Sequence, residues 1–315
     1  MPQLRTKVQK RELVAQETAT PPEEQEAPKP IRITAIVVSH NRIERLRGAI
    51  EALERSEERE RLEILVVDNG STDGSSDLEA EFPQTRFIRG PRNFGLTKAL
   101  NLGVRGAAGE FLLILHEDSE VSPDTARLLA GVLENQADAG AVCPLLVSPD
   151  GEPAPQIENL PKPGHLELNW RAADPAQGEQ PVQYARGAAL MVRRFFFQSM
   201  RQIDERYGNF GSDAEICFQV WRSGKRVLLI PSAQAVHYGR PVSDPGQRAR
   251  LDADRKLGLA TYIRKRYGIL RWILLRISLI IRAFGSVLSF RDFRYHFAVF
   301  ALLWNGQKID GSQRD

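Results

Sequence analysis

The sequence predicts an α/β protein with a mostly parallel sheet and a C-terminal amphipathic helical extension, on three observations. Short β-branched runs alternate with helix-length segments between residues 31 and 245. Polar clusters follow three of those runs at their C-terminal ends. Past residue 246 the pattern is helical, apolar and basic. Strands that alternate with helices pair in parallel, and helices cover both faces of the sheet.

Residues 1–30 hold five prolines, no aromatic residue and balanced charge. They predict a disordered tail, because they bury too little to offset their ordering entropy. The first strand is Ile33–Ser39 (ITAIVVS), followed by a helix over 44–55. Leu62–Asp68 (LEILVVD) is the second strand, with a helix near 75–81. A brief third strand, Arg86–Arg89, leads into a helix over 96–107. FLLIL at 111–115 is the fourth strand, and the helix over 123–135 carries Pro123 near its first turn, where the missing N–H costs little. Residues 148–181, rich in Pro, Gly and Asp, predict a long irregular loop of the kind that covers a substrate. Strands at 182–192, 227–231 and 235–237 flank a helix over 213–223 that Gly224 ends. Residues 31–245 thus read as one domain and 246–315 as a separate helical region.

In that region WILLRISLII at 272–281 is broken by Arg276 and flanked by Arg271 and Arg282. Phe290, Phe293, Phe297, Phe300 and Trp304 then recur at helical spacing. A bilayer-spanning helix needs about 20 apolar residues with few charges, so helices lying in a membrane interface, with arginine stems reaching outward, fit better. Packing on the core or on a second subunit is the other reading. Between Arg264 and Arg294 stand eight Lys/Arg and one acid, Asp292. Basic and apolar together, this end is assigned to an anionic membrane surface rather than to nucleic acid.

Composition narrows the classes. The 315 residues are 42% hydrophobic and 26% charged, near the averages of soluble globular chains. Cys143 and Cys217 lie in apolar runs and read as reduced core thiols of a cytosolic protein. No Cys/His cluster has zinc spacing, and the charged start has no apolar segment of a signal peptide behind it.

Ligands of open parallel sheets gather at the carboxyl ends of the strands. Strand one ends in Ser39-His40-Asn41-Arg42, strand two in Asp68-Asn69-Gly70-Ser71-Thr72-Asp73-Gly74, and strand four in His116-Glu117-Asp118-Ser119-Glu120. No GxGxxG follows strand one and no GxxxxGK[ST] occurs, which disfavours dinucleotide and P-loop sites. Asp68 is placed to accept from a ribose hydroxyl or a base N–H, or else to serve as a simple helix N-cap or Asx turn. Asn93 precedes a helix whose N-terminus is able to face phosphate, or simply caps it. Asp118, beside Glu117 and Glu120, suits Mg²⁺ or Mn²⁺ bridging two phosphates; a solvated acidic turn is the alternative. His237 is either a nitrogen ligand to that ion or a structural histidine. Asp213 and Glu215 open a helix, where the macrodipole favours acids; the functional reading is a general base for an acceptor hydroxyl.

Taken together, these clusters resemble glycosyltransferase family 2, over roughly residues 33–238. Ser39, Asn41 and Arg42 stand where the family's opening nucleotide-binding strand ends. Val66-Val67-Asp68-Asn69-Gly70-Ser71-Thr72-Asp73-Gly74 resembles V-D-N-x-S-x-D-G, whose first Asp contacts the nucleoside. Asn93-Phe94-Gly95 followed by Asn101 resembles N-x-G…N. Leu115-His116-Glu117-Asp118 falls where the family keeps DxD, with His116 at its first position. Gly187-Ala188-Ala189-Leu190, then Asp204-Glu205 and Asp213, match acceptor-side elements, with Ser212 where Glu is common. Val236-His237-Tyr238 matches the late histidine that completes metal binding. Gln219-Val220-Trp221-Arg222 is a chance likeness to the Q-x-x-R-W of processive synthases, which favours single-sugar addition.

The resemblance implies a GT-A (Rossmann-like) fold and direct displacement with inversion. Asp213 would be the catalytic base. The nucleotide-sugar site would comprise Ser39, Asn41, Arg42, Asp68, Asn93, Gly95 and Asp118. Gly187, Ala188 and Glu215 would lie on the acceptor side. Asp118 and His237 would hold Mg²⁺ or Mn²⁺. The pattern is most like rhamnosyltransferase-type enzymes of cell-surface polysaccharide assembly, implying a dTDP-, UDP- or GDP-linked donor and a lipid-linked glycan acceptor. It also implies peripheral association with the inner face of the cell membrane. A catalytically inactive nucleotide-sugar-binding scaffold at the membrane is the rival reading. A nucleotidylyltransferase is disfavoured, because no Gly-rich N-terminal loop carries an accompanying lysine.

Overall fold

β1 (Ile33–Ser39) is buried along its whole length in the computed structural model, which describes residues 30–164, 168–239, 242, 244–288 and 292–306. The expected tail, apart from Pro30, and Phe290 lie outside the described residues. Successive β1 side chains enter opposite cores: Ile36 and Val38 one, Ala35 and Val37 the other. That alternation is the period of two of an extended chain, and a strand apolar at every position must be covered on both faces.

The chain then runs through helix α1 (Ile43–Glu54), β2 (Leu62–Asp68), a short α2 (Leu78–Glu81), β3 (Arg86–Arg89) and α3 (Leu96–Gly106). It continues through β4 (Phe111–His116), β5 (Ser119–Val121), α4 (Thr125–Asn135) and β6 (Ala139–Val147). β7 (Pro155–Glu158), β8 (Arg171–Ala172), β9 (Gln180–Val182), β10 (Tyr184–Ala185) and β11 (Ala189–Arg193) follow. α5 (Phe195–Met200), α6 (Ser212–Arg222) and β12 (Arg226–His237) close the sheet region, and α7 (Pro245–Tyr267), α8 (Ile269–Leu288) and α9 (Phe293–Asn305) complete the chain.

Among the described residues the main sheet has nine strands, in the order β3-β2-β1-β4-β11-β6-β12-β5, with β9 added beside β12. β3, β2, β1 and β4 are mutually parallel. β11 runs antiparallel between β4 and β6. Parallel register aligns Ser39 with Asp68 and Val38 with His116, so three polar strand ends finish side by side.

Several expectations are corrected. The stretch 148–181 is not wholly irregular: β7 pairs with both β8 and β10 in a small antiparallel sheet, and β9 joins the main one. The expected strand at 182–192 is broken at Arg186 to Ala188, where the chain changes sheets. The strands read at 227–231 and 235–237 are one strand, β12, with a register shift between Ile230 and Gln234. β6 was not read as a strand at all, because it contains Gly140 and Pro144. A proline removes a ladder donor; β11 pairs with β6 only at Ala141 and Val142, so Pro144 lies where that ladder has already ended. After residue 246, α7 is amphipathic toward the sheet domain: Ala249, Ala253, Leu257, Tyr262 and Ile263 are buried in the same core as Ile36 and Leu190.

Candidate active site

The turn after β1 is built for close approach to the turn after β2. Asn41 takes a left-handed backbone (φ 53°), and its side-chain Oδ1 accepts from the Thr72 amide at 2.7 Å. The Asn41 amide in turn donates to Ser71 Oγ at 3.0 Å. Asp68, almost wholly buried, spends Oδ1 on the Ser71 amide at 2.9 Å, closing an Asx turn. Ser39 Oγ is buried and has no hydrogen-bond partner among the described residues, which leaves it free for a ligand at the strand end. Asn93 accepts from Asn69 Nδ2 and from the Gly95 amide, both at 2.9 Å, so its carbonyl oxygen serves the loop. Gly95 stands at the N-cap of α3 with φ 82°, a conformation that penalises any side chain.

Asp118 and His237 meet because β5 pairs with β12 in a register that sets Ser119 opposite His237. The Tyr238 amide donates to the Asp118 carbonyl at 3.0 Å, locking that corner. His237 Nδ1 lies 3.4 Å from Asp118 Oδ1 and 3.1 Å from Ser119 Oγ. Arg42 Nη1 takes the other carboxylate oxygen, Asp118 Oδ2, at 3.1 Å, and lies 4.0 Å from Glu117. Burial alone would raise Asp118, but the charges of His116, His237 and Arg42 outweigh it and hold its carboxyl below the ordinary value. Burial, and then the Asp118 charge, push Glu117 up. Burial lowers His237 to about 4, so its imidazole is neutral near pH 7 and has a lone pair to give.

The fit to a divalent ion is tested by two orphaned atoms. Asp118 Oδ1 and His237 Nε2 are both buried with no hydrogen-bond partner among the described residues. No cluster of three or more His, Cys, Asp or Glu of metal-holding geometry occurs among the described residues. One carboxylate oxygen and one neutral imidazole suit an ion that takes its remaining ligands from substrate phosphates and water, as Mg²⁺ commonly does.

Asp213 sits on a different wall. It opens α6 and lines a cavity of about 450 Å³ together with His116, Trp170, Arg186, Phe210 and, from α7, Lys256. Its Oδ1 accepts from Tyr184 Oη at 2.8 Å and from the Ala214 amide at 2.9 Å, and its Oδ2 from the Gly187 amide at 3.2 Å. A Cβ on Gly187 would stand 3.1 Å from Asp213 Cβ, so a side chain there would press on the Asp213 side chain. Ala188 acts through its backbone, its carbonyl accepting from the His116 amide at 3.0 Å. His116, whose ring lies 6.3 Å from that of His237, connects this cavity to the Asp118 corner.

Of the expected residues, the structure gathers Ser39, Asn41, Arg42, Asp68, Asn93, Gly95, Asp118 and His237 around the aligned strand ends, and Asp213, Gly187 and Ala188 around the cavity. Glu215 is not brought to either place. It is buried among Tyr207 Oη (2.8 Å), Gln219 Nε2 (2.9 Å), Lys265 Nζ (3.0 Å) and Arg266, which makes it a tether between α6 and α7. Tyr184 and Trp170, whose rings meet at 4.7 Å with a tilt of 57° beside Asp213, were not anticipated.

The family match covers the strand ends of this geometry and stops short of Asp213 and His237. The model of glycosyl transferase family 2 matches residues 34–201, more than half of the chain. The chain belongs to glycosyl transferase family 2. As a family 2 glycosyltransferase it is 27% identical over 227 residues to N-acetylglucosaminyl-diphospho-decaprenol L-rhamnosyltransferase of Mycobacterium tuberculosis, which covers 64% of this chain and 73% of that protein. It is 24% identical over 209 residues to dTDP-rhamnosyl transferase RfbF of Shigella flexneri, covering 65% and 68%. Its fold matches the mannosyltransferase PcManGT of Pyrobaculum calidifontis, solved with GDP-Man and Mn²⁺, with a TM-score of 0.56 at 18% identity over 89% of this chain and 90% of that one. The GT-A expectation for the fold therefore holds.

Proposed function

We propose that this glycosyltransferase moves one sugar, with inversion, from a nucleotide-sugar to a lipid-linked glycan during cell-surface polysaccharide synthesis. The observation that carries the reading is the Asp213 carboxylate, fixed by three donors on the wall of a cavity that His116 joins to the Asp118 corner. An acceptor sugar lies against Trp170 and Phe210 in that cavity, and Asp213 takes the proton from its attacking hydroxyl. The nucleotide spans the β1 and β2 turns, where Ser39 Oγ and Asp68 offer a donor and an acceptor to the nucleoside. Asp118 Oδ1 and His237 Nε2 would hold Mg²⁺ or Mn²⁺. When bound, that ion offsets the charge of the departing nucleoside diphosphate. Arg42 keeps Asp118 oriented with one oxygen turned to the ion. Positioning and fixed charge supply most of the acceleration.

The rhamnosyltransferase relatives support a deoxyhexose donor, and the likeness to the mycobacterial N-acetylglucosaminyl-diphospho-decaprenol L-rhamnosyltransferase supports a diphosphate-lipid acceptor. Membrane-linked acceptors give α8 and α9 a purpose. No helix among the described residues is long and apolar enough to cross a bilayer. α8 nonetheless leaves Leu270 68% and Leu274 62% exposed, and α9 leaves Trp304 65% exposed. Such faces suit an interfacial helix on the inner surface of the cell membrane.

Asp213→Asn tests the reading. Sugar transfer should fall by about 10²–10⁴-fold, while binding of dTDP, UDP or GDP, followed by thermal shift with and without Mn²⁺, persists. Retained transfer by the Asn variant would exclude Asp213 as the base. Transfer absent from the wild-type chain with every donor, with nucleotide binding intact, would favour the scaffold reading.

A further inference from the structure

A second cavity, of about 680 Å³, lies among α7, α8 and the end of α9, away from Asp213 and Asp118. Its wall carries Arg206, Arg264, Lys265 and Arg276 against one acid, Glu205. Two of these cations are already engaged: Arg206 pairs with Asp204 at 2.6 Å, and Lys265 with Glu215 at 3.0 Å. The other two have no carboxylate partner among the described residues. Arg264 lies over the Trp272 ring, 5.1 Å from its centroid. Arg276 is half-buried, donates to the Leu303 carbonyl through Nη2, and is pulled below its ordinary pKa by burial. A guanidinium removed from water without a counter-charge is costly, and an anion arriving from outside relieves that cost.

Next to the cavity mouth runs the exposed stripe of α8. Ile269, Leu270, Ile273, Leu274, Ile277 and Ile281 are each at least 40% exposed and fall on one helical face. Arg276 follows Ile273 by three positions and directly precedes Ile277, so its guanidinium stem marks the edge of that stripe. Arg271 and Arg282 lie near its other edge. A ligand that satisfies both features has a phosphate at one end and hydrocarbon at the other. Free phosphate would leave the stripe in water, and a nucleic-acid backbone offers nothing apolar to cover it.

We propose that this cavity seats the phosphate headgroup of an anionic membrane lipid, with the acyl chains lying along the α8 stripe. The site rests on the membrane reading above and deepens it: Arg264 and Arg276 fix which face of the enzyme meets the bilayer, and so where the Asp213 cavity opens.

The test is flotation of the full chain with phosphatidylcholine vesicles that carry equal charge either as phosphatidic acid or as a carboxylate amphiphile. Wild type should prefer the phosphatidic acid vesicles. Arg264→Gln with Arg276→Gln should weaken that binding by about tenfold or more, while Arg271→Gln with Arg282→Gln, the same loss of charge, should cost several-fold less. Arg264→Gln alone leaves the Leu303 bond intact and should shift binding in the same direction, which guards against misfolding of the double variant. Hydrolysis of the nucleotide-sugar by both double variants should match wild type, since neither pair touches the catalytic cavity. Equal losses in the two double variants, no preference between the vesicle types, or displacement by inorganic phosphate at the lipid's own concentration would each overturn the headgroup site while leaving membrane binding standing. Failure of wild type to float with any vesicle would instead overturn the membrane reading, and the site with it.

Discussion

At the scale of single residues, the catalytic reading depends on how Asp213 is held. Burial and the adjoining Asp213 charge push the Tyr184 phenol far above its ordinary value, so it remains a donor at any working pH. A hydrogen bond to a charged group contributes about 1.5–3 kcal/mol, and this one fixes the direction of the carboxylate before an acceptor arrives. Tyr184→Phe should therefore lower kcat about tenfold with the donor KM unchanged, and Tyr184→Phe read only as a stability loss would reduce Tyr184 to packing. Steady-state kinetics beside thermal melts separate the two. The sequence placed Asp213 at the start of a helix after a Gly-rich turn, where the macrodipole alone favours an acid, and the family resemblance singled it out as a base. Tyr184 was not legible, since it lies 29 positions away and reaches Asp213 only through a two-residue strand. Glu215 was misplaced for a geometric reason: two positions along a helix turn a side chain by about 200°, so it points into the α7 contact instead of the cavity.

At the scale of elements, the parallel half of the sheet was readable because each of its inner strands is a short apolar run between turn residues, and polar strand ends marked the ligand side. What escaped was pairing that depends on distant partners, as in β6 and the small sheet of β7, β8 and β10. Close packing of α3 on the sheet was equally invisible. A Cβ on Gly103 would lie 2.4 Å from Ile36 Cγ2 and 3.2 Å from Val67 Cγ2, both rigid β-branched side chains in the core. Gly103→Ala should thus destabilise by about 1–3 kcal/mol through overpacking. Gly131, inside α4, has nothing within 4 Å of an added Cβ, so Gly131→Ala should stabilise by about 0.5–1 kcal/mol through helix propensity. Urea midpoints of the two variants should move in opposite directions. A common sign would mean that α3 has room to shift, and with it Leu96, which lines the catalytic cavity.

At the scale of the whole molecule, the question is what binds the C-terminal helices to the catalytic domain. α7 contributes Leu257, Tyr262 and Ile263 to the core, and Glu215 answers them with charge, buried between Lys265 and Arg266. Burial alone would raise Glu215, but hydrogen bonds from Gln219 and Arg266, with the Arg266 charge, hold it below its ordinary 4.5. A carboxyl depressed in the folded state contributes stability that is complete above its unfolded value and fades as pH falls through the folded one. Glu215→Gln should accordingly cost about 3 kcal/mol near pH 7, the scale of breaking a buried ion pair. The gap between variant and wild type should begin to close below pH 4.5 and not above it. Denaturant titrations across that range decide the matter. A penalty that is constant with pH would mean that Glu215 acts by hydrogen bonding alone, and α7 would then be held to the catalytic domain by apolar packing, with charge only setting its register.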